Sequence, residues 1–320
     1  MKMKTPLFKL PLLLVVFYWL LYSVFIVIYL TKFDNDFISL YVGTDQIALK
    51  IVKQVLINFF LQIPNSVVLF TISTIAFNQY SISIINRKNI INTFLVAIFI
   101  VLSDMVFRLS YYSYSYDWIV SKLRFLNIND GDNFSAYIFH LAEYLIFYFF
   151  ITLGTYLSIK LFKENYICNE IILTETESQN LHMVLFICFY NCFFITMSYL
   201  LLFDGMYYSL SNLIFSIVLL AIFLSIVNLI GYFLLRKCFT AVTEILALKK
   251  VIFSSLITFI LNCLLLILIL YIYNYIYNFL PFDIISSTFK LFYLWMFLIT
   301  LLISSCLLVR KMTKLFFDKH

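Results

Sequence analysis

Residues 10–30 read LPLLLVVFYWLLYSVFIVIYL, twenty-one consecutive residues without a charge. A helix needs about 20 apolar residues to cross the roughly 30 Å hydrocarbon core of a bilayer. The run is longer than the core of a secretory signal, and it ends in Thr31-Lys32-Phe33-Asp34 with no small-residue cleavage site, so it is expected to stay attached as a first membrane helix. The pattern recurs along the chain. Apolar runs fall at about 10–30, 55–79, 90–113, 135–159, 183–203, 213–235, 251–278 and 289–309. Transmembrane strands would instead need short alternating segments. The expectation is an all-α, polytopic transmembrane bundle of about eight spans.

Composition agrees. Of the 320 residues, 64% are hydrophobic and 12% charged, against about a quarter charged in a soluble domain. The connection from Lys160 to His182 is the longest polar stretch. It divides the sequence into a first four-span half (1–160), a cytoplasmic loop (161–182) and a second four-span half (183–320). The halves show no convincing similarity to one another.

The net charge of +6 does not point to nucleic acid, because the charges sit at the ends of apolar runs. With the N-terminus inside, the inner segments hold fifteen basic residues: Lys2, Lys4, Lys9, Arg87, Lys88, Lys160, Lys163, Arg236, Lys237, Lys249, Lys250, Arg310, Lys311, Lys314 and Lys319. The outer loops hold six: Lys32, Lys50, Lys53, Lys122, Arg124 and Lys290. Basic residues concentrate in cytoplasmic loops, so both termini are expected in the cytoplasm. The segment Arg236 to Lys250 has basic ends around Phe239, Val242, Ile245 and Leu246. It suits either a helix lying on the inner leaflet or an extension of its flanking spans. Abundant Ile, Asn, Lys, Phe and Tyr are what an AT-rich genome gives, which points to a bacterial plasma (inner) membrane.

Three features stand out as candidate sites. The first is a set of ionisable residues inside spans three and four: Asp104, Arg108, His140 and Glu143. Charges at such depth are costly and face the bundle interior. Asp104 and Arg108 are four apart, and His140 and Glu143 three apart, so each pair shares a helix face. Asp104 and His140 each lie roughly 10 Å below the outer end of their span, so the four groups can meet in the outer third of the membrane. A proton or ion relay, or a docking site, is one reading. Interhelical fastening with local neutralisation of Asp104 by Arg108 is the preferred one.

The second feature is a polar face on span two, Asn58, Gln62 and Asn65, beside Pro64. Such a stripe seeks partners on neighbouring helices, and Pro64 is expected to kink the helix. Packing is preferred over a polar cavity wall. The third feature is aromatic. Tyr111, Tyr112, Tyr114, Tyr116 and Trp118 mark the outer end of span three, and Tyr271, Tyr273, Tyr275 and Tyr277 that of span seven. Interfacial tyrosines anchor helices at headgroup depth, and they also make good binding surfaces.

Only five glycines and four prolines occur, few for the broken helices and unwound filters of transporters and channels. No phosphate-binding loop, nucleophile elbow or zinc-binding His pair is present. The six cysteines form no C-x-x-C pair and mostly lie inside apolar runs, where they act as small hydrophobes. No cofactor or metal is expected. The leading functional expectation is therefore a non-enzymatic membrane protein that binds another protein, a recognition or immunity type of partner. A small transporter or export component using the charged cluster comes second. An intramembrane transferase on a lipid-linked substrate, with His140 or Glu143 as base, comes third.

Overall fold

The long apolar runs fold as helices. A computed structural model describes residues 7–33, 38–40, 43–44, 46–110, 133–169, 248–279 and 287–317, with isolated helical positions between 183 and 233. The longer elements are α1 (Lys9–Lys32), α2 (Ile47–Leu61), α3 (Ile63–Gln79), α4 (Arg87–Ser110), α5 (Asn133–Phe162), α6 (Leu248–Phe279) and α7 (Ser287–Phe317). A 3₁₀ turn, Lys163–Asn165, follows α5. Among the described residues there is no strand.

Among the described residues, four helical segments are long and apolar enough to cross a membrane: Lys9–Lys32, Arg87–Phe107, Ile146–Asn165 and Leu256–Tyr273. The pair α2–α3, bent by 49°, makes a fifth if it is one crossing. The protein is thus an all-helical chain built to lie in a bilayer. The expected spans 183–203 and 213–235 lie largely outside the described residues. The segment Arg236 to Lys250 does too, apart from Lys249 and Lys250, which start α6 together with Leu248. Helix α7 runs on to Phe317, so Arg310, Lys311 and Lys314 are helical and not tail.

The chain divides into two compact units, residues 1–172 with 191–224, and residues 173–190 with 225–320. In the first unit, α1 packs on α4, α4 on α5, α5 on α3, and α3 on α1, closing a ring of four helices. The main neighbour of α2 is α1. Helix α1 buries Leu10, Leu14 and Tyr18 and turns Leu12, Val16, Leu20, Val24 and Ile28 outward. That i, i+4 stripe of exposed apolar side chains is what a lipid-facing surface requires.

Helix α3 is the most enclosed, with almost every residue from Pro64 to Asn78 buried. It is also rich in small polar residues. Thr71 and Thr74 return their hydroxyls to the carbonyls of Val67 and Phe70, at 2.7 Å each. Internal satisfaction of this kind lets neighbouring helices approach closely without stranding a polar group in an apolar environment. The bend falls where Pro64 predicts. Proline has no N–H to offer the carbonyl one turn back and its ring crowds that turn. The ladder resumes at once, with Gln62 N–H on Asn58 O (3.0 Å) and Ser66 N–H on Gln62 O (2.9 Å).

At its other end α3 stops on a left-handed residue, Ser81 (φ 55°). Ile82 N–H bonds Phe77 O and Ser81 N–H bonds Asn78 O, at 2.8 and 3.2 Å, the paired bonds that close a helix C-terminus. Asn86 then caps α4, its Oδ1 accepting the Asn89 N–H at 2.7 Å. The segment after α5 is tied to this turn. Asn169 N–H bonds Ser81 O (2.8 Å), Ile167 N–H bonds Asn89 Oδ1 (2.8 Å), and Asn92 Nδ2 bonds Asn165 O (2.6 Å). The start of the long polar connection is therefore packed structure.

In the second unit α6 and α7 pack together. Ser254, Thr258, Asn262, Leu266 and Ile269 face Phe297, Leu301, Ser305 and Val309, all buried at near-i+4 spacing.

Candidate functional site

Seven side chains meet at the bend in α2–α3. Gln62, at the break, is the hub. In one arrangement its Oε1 accepts from Tyr18 Oη at 3.2 Å and from Asn65 Nδ2 at 2.6 Å. Its Nε2 donates to Tyr22 Oη at 2.9 Å. Tyr18 and Tyr22 are four apart on α1, so they project from one face, and their rings stack with centroids 5.8 Å apart. Trp19 donates its indole N–H to Ser66 Oγ, and Ser66 in turn donates to Gln62 O at 2.7 Å. From α4, Asp104 Oδ2 lies 3.3 Å from Tyr18 Oη.

Proton counting gives this cluster its character. Tyr18 has one hydroxyl proton and two acceptors in reach, Gln62 Oε1 and Asp104 Oδ2, so it serves one at a time. Turning both carboxamides over lets Gln62 donate to Tyr18 and Tyr18 donate to Asp104, an equally connected chain. In the first arrangement Asn65, only 4% exposed, has its Oδ1 buried with no hydrogen-bond partner. Buried polar atoms are nearly always paired, and an orphan calls for a reason.

Asp104 is 7% exposed and looks two ways. On one side is the Tyr18–Gln62 chain. On the other is a cavity of about 220 Å³ between α4 and α5. Its walls include Phe99, Ser103, Phe107 and Phe150, with Phe107 and Phe150 stacked at 3.6 Å between centroids. Gly154 borders it, and a β-carbon there would meet nothing within 4 Å.

Of the intramembrane charges expected from sequence, Asp104 is thus placed in the network. Arg108 lies one turn on in α4, and His140 and Glu143 lie three apart in α5, but their side chains lie outside the described residues. On the polar face of span two, Gln62 and Asn65 join the network. Asn58 instead bonds the Gln54 carbonyl of its own helix at 2.9 Å. Tyr111, Tyr112, Tyr114, Tyr116 and Trp118 fall outside the described residues, as does the side chain of Tyr277. On α6, Tyr271 and Tyr275 are 71% and 58% exposed. Tyr273 is held against α7, its hydroxyl 2.9 Å from Thr300 Oγ1 and its ring edge-on to Phe297. Sequence reasoning did not single out Tyr18, Trp19, Tyr22 or Ser66. The four-residue spacing of the two tyrosines was the available signal.

A second polar group sits at the end of the ring that carries Arg87 and Lys163. Tyr166 is buried and 3.3 Å from Thr93 Oγ1. Burial pushes its hydroxyl up to about 12, against a lowering by Thr93. Tyr80 donates to Tyr156 Oη at 3.4 Å and is also pushed up to about 12, first by burial and then by Tyr156. Lys163 Nζ stands 5.8 Å from the Tyr80 ring centre. Tyr166, Tyr80 and Lys163 each have a partner here, while the neighbouring Asn78 Nδ2 is buried without one. Among the described residues no three His, Cys, Asp or Glu side chains gather to hold a metal. Compared with family models, curated proteins and solved structures, the chain matches none.

Proposed function

We propose that the protein is a small membrane transporter or export component whose solute site is the intramembrane cluster of the first unit. One observation carries this reading: Asp104 belongs to a buried hydrogen-bond chain and also borders a cavity. Ionisable residues at such depth mark substrate and ion pathways, and the bend at Pro64 lies next to the hub of the chain. The finer topology belongs to the same proposal: about eight spans, both termini cytoplasmic, in a bacterial plasma membrane, resting on the fifteen-to-six basic asymmetry.

Transport requires that one site be reached in turn from both sides of the membrane. The test is a single cysteine at Ser103, in a background with the six native cysteines replaced. It is probed with an impermeant maleimide in right-side-out and inside-out vesicles. Labelling from both sides is expected. Labelling from one side only, or none, counts against transport.

A second reading has its own support. Tyr271 and Tyr275 are exposed on one face of α6 while Tyr273 is committed to α7, which suits a protein that docks a partner through its tyrosines. Under that reading a few tyrosines act as hot spots, each costing about 2 kcal/mol or more of binding on truncation to alanine. An alanine and phenylalanine scan scored separately for abundance and partner capture distinguishes docking from anchoring. Losses that merely follow abundance leave these residues as membrane anchors.

A further inference from the structure

We propose that the end of the first unit's helix ring that carries Arg87 and Lys163 holds the headgroup of an anionic phospholipid. Arg87 and Asp104 are seventeen residues apart on α4, roughly 25 Å along the helix, so the headgroup site is distinct from the solute site.

Charge comes first. Arg87 and Lys88 open α4, while Lys160 lies in the last turn of α5 and Lys163 starts the 3₁₀ turn after it. The two ends are held together by the bonds from Asn92 to Asn165 O and from Ile167 N–H to Asn89. All four basic side chains are exposed, and among the described residues none has an ion-pair partner. Glu164 is the single acidic residue within 79–95 and 146–169. The first turn of α4 holds no acid to offset Arg87 and Lys88, although the helix dipole disfavours cations there. The local surplus is positive, and an anion relieves it.

Hydrogen bonding points the same way. The hydroxyls of Tyr80 and Tyr156 are 3.4 Å apart. Two hydroxyls that share one bond keep one proton to give, whichever way the pair is turned. Tyr156 and Lys160 are one turn apart on α5 and share a face, and Lys163 Nζ is 5.8 Å from the Tyr80 ring centre. Two ammonium groups and a phenol thus belong to one patch, donors suited to phosphate oxygens. Depth decides the source of the phosphate. Lys160 adjoins Leu157 and Leu161, and Arg87 stands four and eight residues before Ile91 and Leu95, all of them exposed. On both helices an exposed apolar stripe leads up to the basic residues. A phospholipid fills both parts, its phosphate at the lysines and its acyl chains along the stripes. A zwitterionic lipid brings an ammonium of its own against those lysines, so the anionic kind fits better.

The test uses full-length protein in dioleoylphosphatidylcholine bilayers. Trace phosphatidylglycerol or phosphatidylcholine, each with a diazirine in one acyl chain, is added at equal mole fraction and activated by light. Mass spectrometry maps the crosslinked residues. Labelling at Ile91, Leu157 and Leu161 should favour phosphatidylglycerol about tenfold, since each basic residue beside an anionic headgroup is worth roughly fivefold in affinity. Lys160→Gln with Lys163→Gln should remove most of that preference, and Arg87→Gln should lower it severalfold. Arg310→Gln with Lys311→Gln takes the same charge from the end of α7 and should leave it unchanged. The comparison of the two lipids on the unaltered protein needs no variant to fold. Equal labelling by the two lipids overturns the proposal. An equal loss in the α7 pair overturns it too, because the preference would then be general charge attraction. Loss of phosphatidylglycerol labelling on adding inorganic phosphate would mark a site for a free anion and would overturn the lipid occupant.

Discussion

Two of the buried polar clusters among the described residues, one in each unit, are built on opposite plans. In the second unit, Ser305 donates to Asn262 Oδ1, Asn262 donates to Thr258 O, and Thr258 donates to Ser254 O. Every group in that chain hands its hydrogen bond to the next. In the first unit, one hydroxyl proton of Tyr18 faces two acceptors, an Asn65 atom is left over, and a cavity adjoins the carboxylate. A helix fastening needs only to be closed. The first cluster keeps a buried Asn65 oxygen without a hydrogen-bond partner and adjoins a cavity, the features on which the proposed solute site rests.

The largest expected effect that sharpens this contrast is Gln62→Leu. It removes three side-chain bonds at once, to Tyr18, Tyr22 and Asn65. At about 0.6 kcal/mol for an average interhelical bond in a membrane protein, the loss should be about 2 kcal/mol. Equilibrium unfolding in mixed micelles measures it. A loss near zero would mean that the hub holds nothing together.

Next comes the fastening itself. A double-mutant cycle on Asn262→Leu and Ser305→Ala should give a coupling of about 1 kcal/mol, within the range known for such pairs. Strict additivity would break the comparison from the other side, leaving the second cluster without a fastening role.

A smaller effect is expected at Tyr166, which belongs with the fastenings. Its folded pKa of about 12 lies above the ordinary 10.0. The stabilisation it gives is fully present below pH 10 and is lost as pH rises from 10 through 12, because the unfolded tyrosine ionises first. Stability of the native protein should therefore fall across that window, and Tyr166→Phe should flatten part of the fall. At neutral pH the same variant should cost about 0.5 kcal/mol for the lost Thr93 bond. An unchanged slope would show that Tyr166 does not titrate late.

The smallest effect should come from Asn65→Leu. It gives up one bond to Gln62 and also removes a buried orphan, so stability should stay within about 0.3 kcal/mol. If Asn65→Leu instead cost as much as Gln62→Leu, its Oδ1 would have a partner and the cluster would be closed.

Among the described residues the helices fall on apolar runs that length and hydropathy had marked, and four or five of them are able to cross a membrane. Pro64 also gave away the bend, since its missing N–H acts wherever it stands. What could not be read was which helices touch. Tyr18 and Tyr22 look like two more apolar residues within 10–30 until Gln62 is brought against them from another helix. Asn89 and Asn92 look like ordinary residues at a helix start, yet they clamp the backbone at 165–167. That clamp turns the first residues of an apparent polar connection into packed structure. Asp104 was found because a carboxylate in an apolar run is conspicuous. The cavity beside it depends on the shapes of Phe107, Phe150 and Gly154 together, and no spacing rule encodes that.

The ring of the first unit also fixes an order in time. Tyr18 and Asp104 touch across 86 positions of sequence. At 5–20 residues per second, a ribosome needs on the order of ten seconds to travel between them. Until α4 is synthesised, α1 lacks the Asp104 partner of Tyr18. It meets the carboxylate only when α4 arrives. The polar centre is therefore assembled late, by a helix that must slot in beside ones already waiting.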